Sequence, residues 1–242
     1  MGTRKTFAFG AALSQGAWPV QEDGYFADPV SGVFALADGF GGQGAGDQAA
    51  KLALLAVKES PNKIAAPREG GIYSSREFFQ RELFGEINQK NLAWNEKKSP
   101  GERGGCSLIL VSVEENRRFA LTSCGACSAI LWRNGNFFPL LSPQGEPRTS
   151  AEAPLFPSQA LGLGKELNPE SRLFISSPGD LLFLLSSGVV WEQVERLPHL
   201  QAELSLRKPG SSLSQLAGLL LERNFDSAGN AANQAVLVVE SH

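Results

Sequence analysis

The chain has 242 residues, of which 42% are apolar and 19% charged, with 22 Lys and Arg against 25 Asp and Glu for a formal charge of -3. This length supports a sizeable core, and no Ser/Gly-rich or charged linker divides it, so a single domain over 1–242 is expected. The scattered charge argues against a nucleic-acid-binding face. With no apolar run of about 18 residues and no signal-peptide core after Met1, the expectation is a cytoplasmic protein with no membrane contact.

In chain order, the apolar run Phe7 to Leu13 reads as a strand, and Gln21-Glu22-Asp23 follows. Val33 to Ala37 reads as a short buried strand with Asp38 at its end, and Gly39, Gly41 and Gly42 let the backbone turn tightly behind it. A helix is predicted to start near Gly46-Asp47 and run to Lys58. Another spans Arg76 to Asn95, with Phe78, Phe79, Leu83, Ile87 and Leu92 at the 3.6-residue period of a helix packed on a sheet. Phe78, Phe79 and Trp94 are assigned to the core. Strands are predicted at Ser107 to Val113, Phe119 to Thr122, Ser128 to Trp132, Leu181 to Leu185 and Ala235 to Val239. Leu213 to Leu221 is a third helix, and Asn224 to Asn230 reads as a loop. Two stacked sheets with helices outside satisfy these faces, an α+β arrangement.

The three cysteines, Cys106, Cys124 and Cys127, are an odd number and imply no disulfide framework. Cys124-Gly-Ala-Cys127 invites a zinc or redox reading, but His199 and His242 are not at ligand spacing, and 123–133 reads as strand and hairpin instead of a helix start. Buried core thiols are expected.

Two motifs carry the chemistry. Gln21-Glu22-Asp23 followed by Ala37-Asp38-Gly39-Phe40-Gly41-Gly42 resembles the signature of the metal-dependent Ser/Thr protein phosphatases of type 2C, the PPM family. Four further stretches follow in that family's order. They are Gly104-Gly105-Cys106-Ser107-Leu108, Ser123 to Ala129 with Leu131 to Gly135, Pro178-Gly179-Asp180 through Gly188, and Ala232-Asn233 with the last strand. The resemblance covers nearly the whole chain and implies a four-layer αββα sandwich of two antiparallel sheets flanked by helices.

The resemblance also implies where the chemistry departs. The family's first metal-binding Asp is matched by Asp38, but Ser187 and Ala232 stand at its second and third ligand positions, and Ala126 stands where bacterial members hold a third ion. The phosphate-gripping Arg expected shortly before Glu22 is missing from Gly16-Ala17-Trp18-Pro19-Val20, and the substrate lobe shrinks to the Pro-containing stretch Ser142 to Ala160. Asp180 lies at the far end of its strand from Ser187, and Asp226 is the remaining candidate replacement ligand. Trp191, just beyond the degenerate Ser186-Ser187-Gly188, is expected to fill space that ions and water would occupy.

Hard divalent ions need anionic oxygen ligands. The expectation is therefore a phosphatase-like binding or regulatory module in Ser/Thr phospho-signalling, with no catalytic residues and no cofactor beyond at most one weakly bound Mg or Mn on Asp38, Gly39, Glu22 and Asp23. The expected partner is a protein, either a phosphoprotein or a kinase. The alternative is a weakly active metal-dependent phosphatase using the residual Asp38 site. Partner identity and oligomeric state are left open.

Overall fold

Period-two alternation within the buried strands organises the molecule. On Val33–Gly41, Val33, Ala35 and Ala37 pack toward helices, while Phe34 and Leu36 join a second core between the sheets. The last strand repeats the pattern: Val236 and Val238 face helices, whereas Ala235, Leu237 and Val239 face the opposite sheet. Strands buried on both faces must be covered on both, which produces helix, sheet, sheet, helix.

The computed structural model describes residues 7–60, 74–113, 117–145, 155–190, 198–208, 211–228 and 232–240. Among these are ten strands: β1 (Ala8–Ser14), β2 (Asp23–Asp28), β3 (Val33–Gly41), β4 (Gly104–Val113), β5 (Arg118–Cys124), β6 (Ser128–Arg133), β7 (Asn136–Leu141), β8 (Glu170–Ile175), β9 (Leu181–Leu185) and β10 (Gln234–Glu240). The helices are α1 (Ala45–Glu59), α2 (Ser74–Glu96), α3 (Pro198–Leu206) and α4 (Leu213–Ala228). One five-stranded sheet has the order β1-β10-β9-β6-β7 and the other β2-β3-β4-β5-β8, with every pairing antiparallel. Helices α1 and α2 cover the second sheet, and α3 and α4 cover the first. None of the helices among the described residues is long and apolar enough to cross a membrane.

Several sequence expectations change. Asp38 does not end its strand, because β3 continues through Gly41 and pairs with β4 along its whole length. Residues 224–228 are the last turn and a half of α4 instead of loop. Phe78 is 56% exposed and so lies outside the core, while Phe79 is half-buried against it; Trp94 is half-buried beneath the Lys98 ammonium, 5.0 Å from the ring centre. The three cysteines are free and buried, and burial pushes the Cys124 thiol up to about 12, so none is poised as a thiolate. Trp191 lies outside the described residues.

Candidate functional site

Strand register brings the first three site residues together. Asp38 on β3 stands opposite Asp23 on β2 and Ser107 on β4, a cross-strand row on the face that Phe34 and Leu36 turn toward the other sheet. From the other sheet, the turn after β9 delivers Ser187, whose backbone N–H donates to Asp38 Oδ2 at 2.7 Å. The start of β10 lies beside that turn: a side chain on Gly188 would collide with the Asn233 carbonyl, so the glycine lets the two ends meet. Asn233 then bonds across to the first motif, its Oδ1 accepting from Glu22 N–H at 2.7 Å and its Nδ2 donating to the Gln15 carbonyl at 2.8 Å.

The acidic residues divide their work. Asp23 and Asp38 stand opposite one another and act on each other electrostatically, with Ser186 beside Asp23 and Ser187 beside Asp38. Burial raises the Asp23 pKa well above the usual carboxylate range, with the Asp38 charge adding to it. Burial raises Asp38 as well, opposed by the Ser187 donors. Glu22 acts differently, its carboxylate facing the backbone N–H groups of Gly46 and Asp47, which pull its pKa down, at the start of α1, whose own N-cap Gly44 offers no side chain. Burial nevertheless lifts Glu22 above its ordinary range.

Close approach of α1 to β3 brings Glu22 to the start of the helix. Gly39 N–H donates to the Glu22 carbonyl at 3.1 Å, and a Cβ on Gly39 would land on the Gly46 carbonyl and 2.7 Å from that of Glu22.

Glu22, Asp23, Asp38, Gly39, Ala126, Ser187 and Ala232 all line one cavity of about 640 Å³, while the side chain of Asp226 lies outside the described residues. Asp180 is elsewhere, bound by Arg133 in an ion pair. Among the described residues no group of three or more His, Cys, Asp or Glu side chains is placed to hold a metal ion.

The structure adds residues that the motifs did not indicate. Trp18, from the stretch without a basic residue, lines the cavity, as do Phe40, Leu155, Phe156 and Leu163. The wall at 161–165 is fastened by α2. Asn95 Nδ2 donates to the carbonyls of Gly104 and Gly162 at 2.7 and 3.0 Å, and Asn88 accepts from Gly162 N–H at 2.8 Å while donating to the Gly164 carbonyl at 2.8 Å. Their signal was visible as Asn88, Asn91 and Asn95, a polar row at helical spacing within a segment expected to be buried.

No family model matches the chain, and no curated protein matches it by sequence. Solved structures match it throughout. The catalytic domain of the Ser/Thr protein phosphatase PstP, solved with two manganese ions, is 22% identical, with 97% of this chain and 98% of that chain covered at a TM-score of 0.77. The PPM Ser/Thr phosphatase MsPP of Mycobacterium smegmatis, solved with cacodylate, is 20% identical over 98% and 100% at a TM-score of 0.72. PppA of Pseudomonas aeruginosa, a key regulatory component of T6SS, is 18% identical over 98% of each chain at 0.76. The fold is that of the PPM Ser/Thr phosphatases.

Proposed function

We propose that this chain is a PPM-fold module that has given up metal-dependent hydrolysis and acts in Ser/Thr phospho-signalling by binding a protein, a phosphoprotein or a kinase. Two-metal hydrolysis needs ions that lower the pKa of a bound water and clamp the attacking and leaving oxygens. Protein ligands to such ions must be deprotonated, and hard ions take mostly carboxylate oxygen. The donors around Asp38 do not fit a pair of them. Asp38 Oδ2 already accepts the Ser187 N–H, and burial raises the pKa of Asp23, Asp38 and Glu22, which disfavours the ionised forms that ions require. Ser187 contributes a neutral hydroxyl and Ala232 no donor.

The observation that carries this reading is the Ser187 N–H seated on Asp38 Oδ2 at 2.7 Å, with a serine at 187 and an alanine at 232 where carboxylates would be needed. An Asp38 oxygen spent on the turn after β9 is a structural joint between the two sheets, where a metal site would keep it for the ion. Trp18 near the position of the family's phosphate-gripping Arg points the same way, since indole cannot replace a guanidinium for an anionic group. The regulatory role of PppA is a precedent for this fold in regulation.

The test is turnover of an aryl phosphate with millimolar Mn²⁺ or Mg²⁺, using wild type beside Asp38→Asn. Rates at the metal-only background for both are expected. Turnover that survives repeated purification and disappears in Asp38→Asn would establish the other reading, a weakly active phosphatase on the residual Asp38 site.

A further inference from the structure

We infer that the cavity floored by Asp23 and Asp38 binds an organic cation, an ammonium, amidinium or guanidinium head on an apolar and preferably aromatic body. The inference rests on the reading above, because two divalent ions would reverse the charge of the cavity floor.

Volume, walls and floor each contribute. At about 640 Å³ the cavity lies within the range that encloses a small organic molecule or one large side chain. Its walls include Trp18, Phe40, Leu155, Phe156 and Leu163, and Phe40 meets Phe156 edge-on with ring centres 5.6 Å apart. Trp18 is 44% exposed and Phe156 62%, so two aromatic rings at the site are open to a ligand. Aromatic faces attract cations and stack on planar amidinium or guanidinium groups.

The floor supplies the charge. Asp23 and Asp38 are 7% and 6% exposed, and no Lys or Arg among the described residues forms an ion pair with either or with Glu22. Asp23 Oδ2 is buried with no hydrogen-bond partner among the described residues. A buried acceptor left unpaired is costly, so a ligand bringing N–H donors relieves a penalty that the site otherwise carries. The other charges on the lining, Glu96, Arg103 and Lys165, are exposed and solvated, and water screens them far more than it screens the floor. An anionic phosphate gains nothing from this floor. A cation gains charge-assisted hydrogen bonds there.

Calorimetry on the full chain in chelator tests this with three probes of one shape: benzamidine, its neutral analogue benzamide, and phenyl phosphate. A fourth, the blocked dipeptide acetyl-Phe-Arg-amide, asks whether the cation is a protein side chain or a free small molecule. At least one cationic probe is expected to bind about tenfold or more tightly than benzamide, as a charge-assisted hydrogen bond would give. Phenyl phosphate should bind more weakly than either. Asp38→Asn should remove the preference for charge, and Ala232→Leu, which fills the cavity without altering its floor, should weaken all probes together. If benzamidine and the dipeptide bind no better than benzamide, or if Ala232→Leu leaves cation binding intact, the inference is overturned. Mn²⁺-dependent turnover in the same preparation would instead overturn the loss of hydrolysis, so the two failures are distinguishable.

Discussion

Asp23 and Asp38 sit side by side on paired strands, and the burial that raises the Asp23 pKa decides how the site responds to pH. A buried acid whose pKa rises on folding keeps its proton in the native state at pH values where the unfolded chain has lost it. Its contribution to stability is therefore complete below the ordinary value of 3.8 and is lost as pH rises through the raised native value. Asp23→Asn keeps a neutral donor toward Asp38 and removes that loss. It should stabilise the protein at pH 8 by roughly 1–3 kcal/mol, the size of a buried polar mismatch, and much less at pH 4. Thermal unfolding in chelator at the two pH values checks this; equal shifts at both would show that Asp23 holds no proton. The double change Ser187→Asp with Ala232→Asp adds carboxylates to the same floor. It should lower the melting temperature in chelator, because unpaired buried charge is costly, and recover by about 2.7 kcal/mol in Mn²⁺ at a hundred times its dissociation constant. Equal melting temperatures with and without metal would show that these two residues do not flank an ion position. Motif order in the sequence was enough to assemble Asp38, Ser187 and Ala232. The position of Glu22 at the start of α1 was not legible, since it depends on where a helix axis ends and not on the residue's neighbours.

Among elements, the junction of β3 with α1 sets the geometry of the site. A methyl group on Gly39 would strike the Gly46 carbonyl, and the backbone of β3 is fixed by pairing on both sides, so α1 must give way. Gly39→Ala should cost roughly 1–3 kcal/mol, the usual penalty of overpacking, and shift the start of α1 away from Glu22. Denaturant unfolding measures the first effect, and hydrogen exchange at the Gly46 and Asp47 amides measures the second; an unchanged midpoint with unchanged protection would contradict the packing described. The buried strands were legible in the sequence as apolar runs. The three strands that were not, β2, β7 and β8, are all at sheet edges, where one side is solvated and the run is broken by Asp23, Pro139 or Arg172. Residues 224–228 were misread as loop because Asn224 and Asp226 are weak helix formers, and the apolar face of α4 carries the helix past them.

At the scale of the molecule, three apolar layers, one between the sheets and one beneath each pair of helices, leave the ends of the sandwich as the places where polar groups converge. Strand and helix periodicity made this architecture legible in the sequence. The cavity was not, because its walls come from Trp18, from 155–157 and from 161–165, stretches without periodicity whose positions depend on tertiary contacts such as those of Asn88 and Asn95. The fold supplies a rigid frame, and the few side chains at one end of it determine whether the protein hydrolyses or binds. Manganese stoichiometry is the most direct measure of that choice. Calorimetric titration of the chelator-treated full chain with Mn²⁺ should show no binding, or one weak ion that is lost in Asp38→Asn; two ions bound per chain, both dependent on Asp38, would contradict the account.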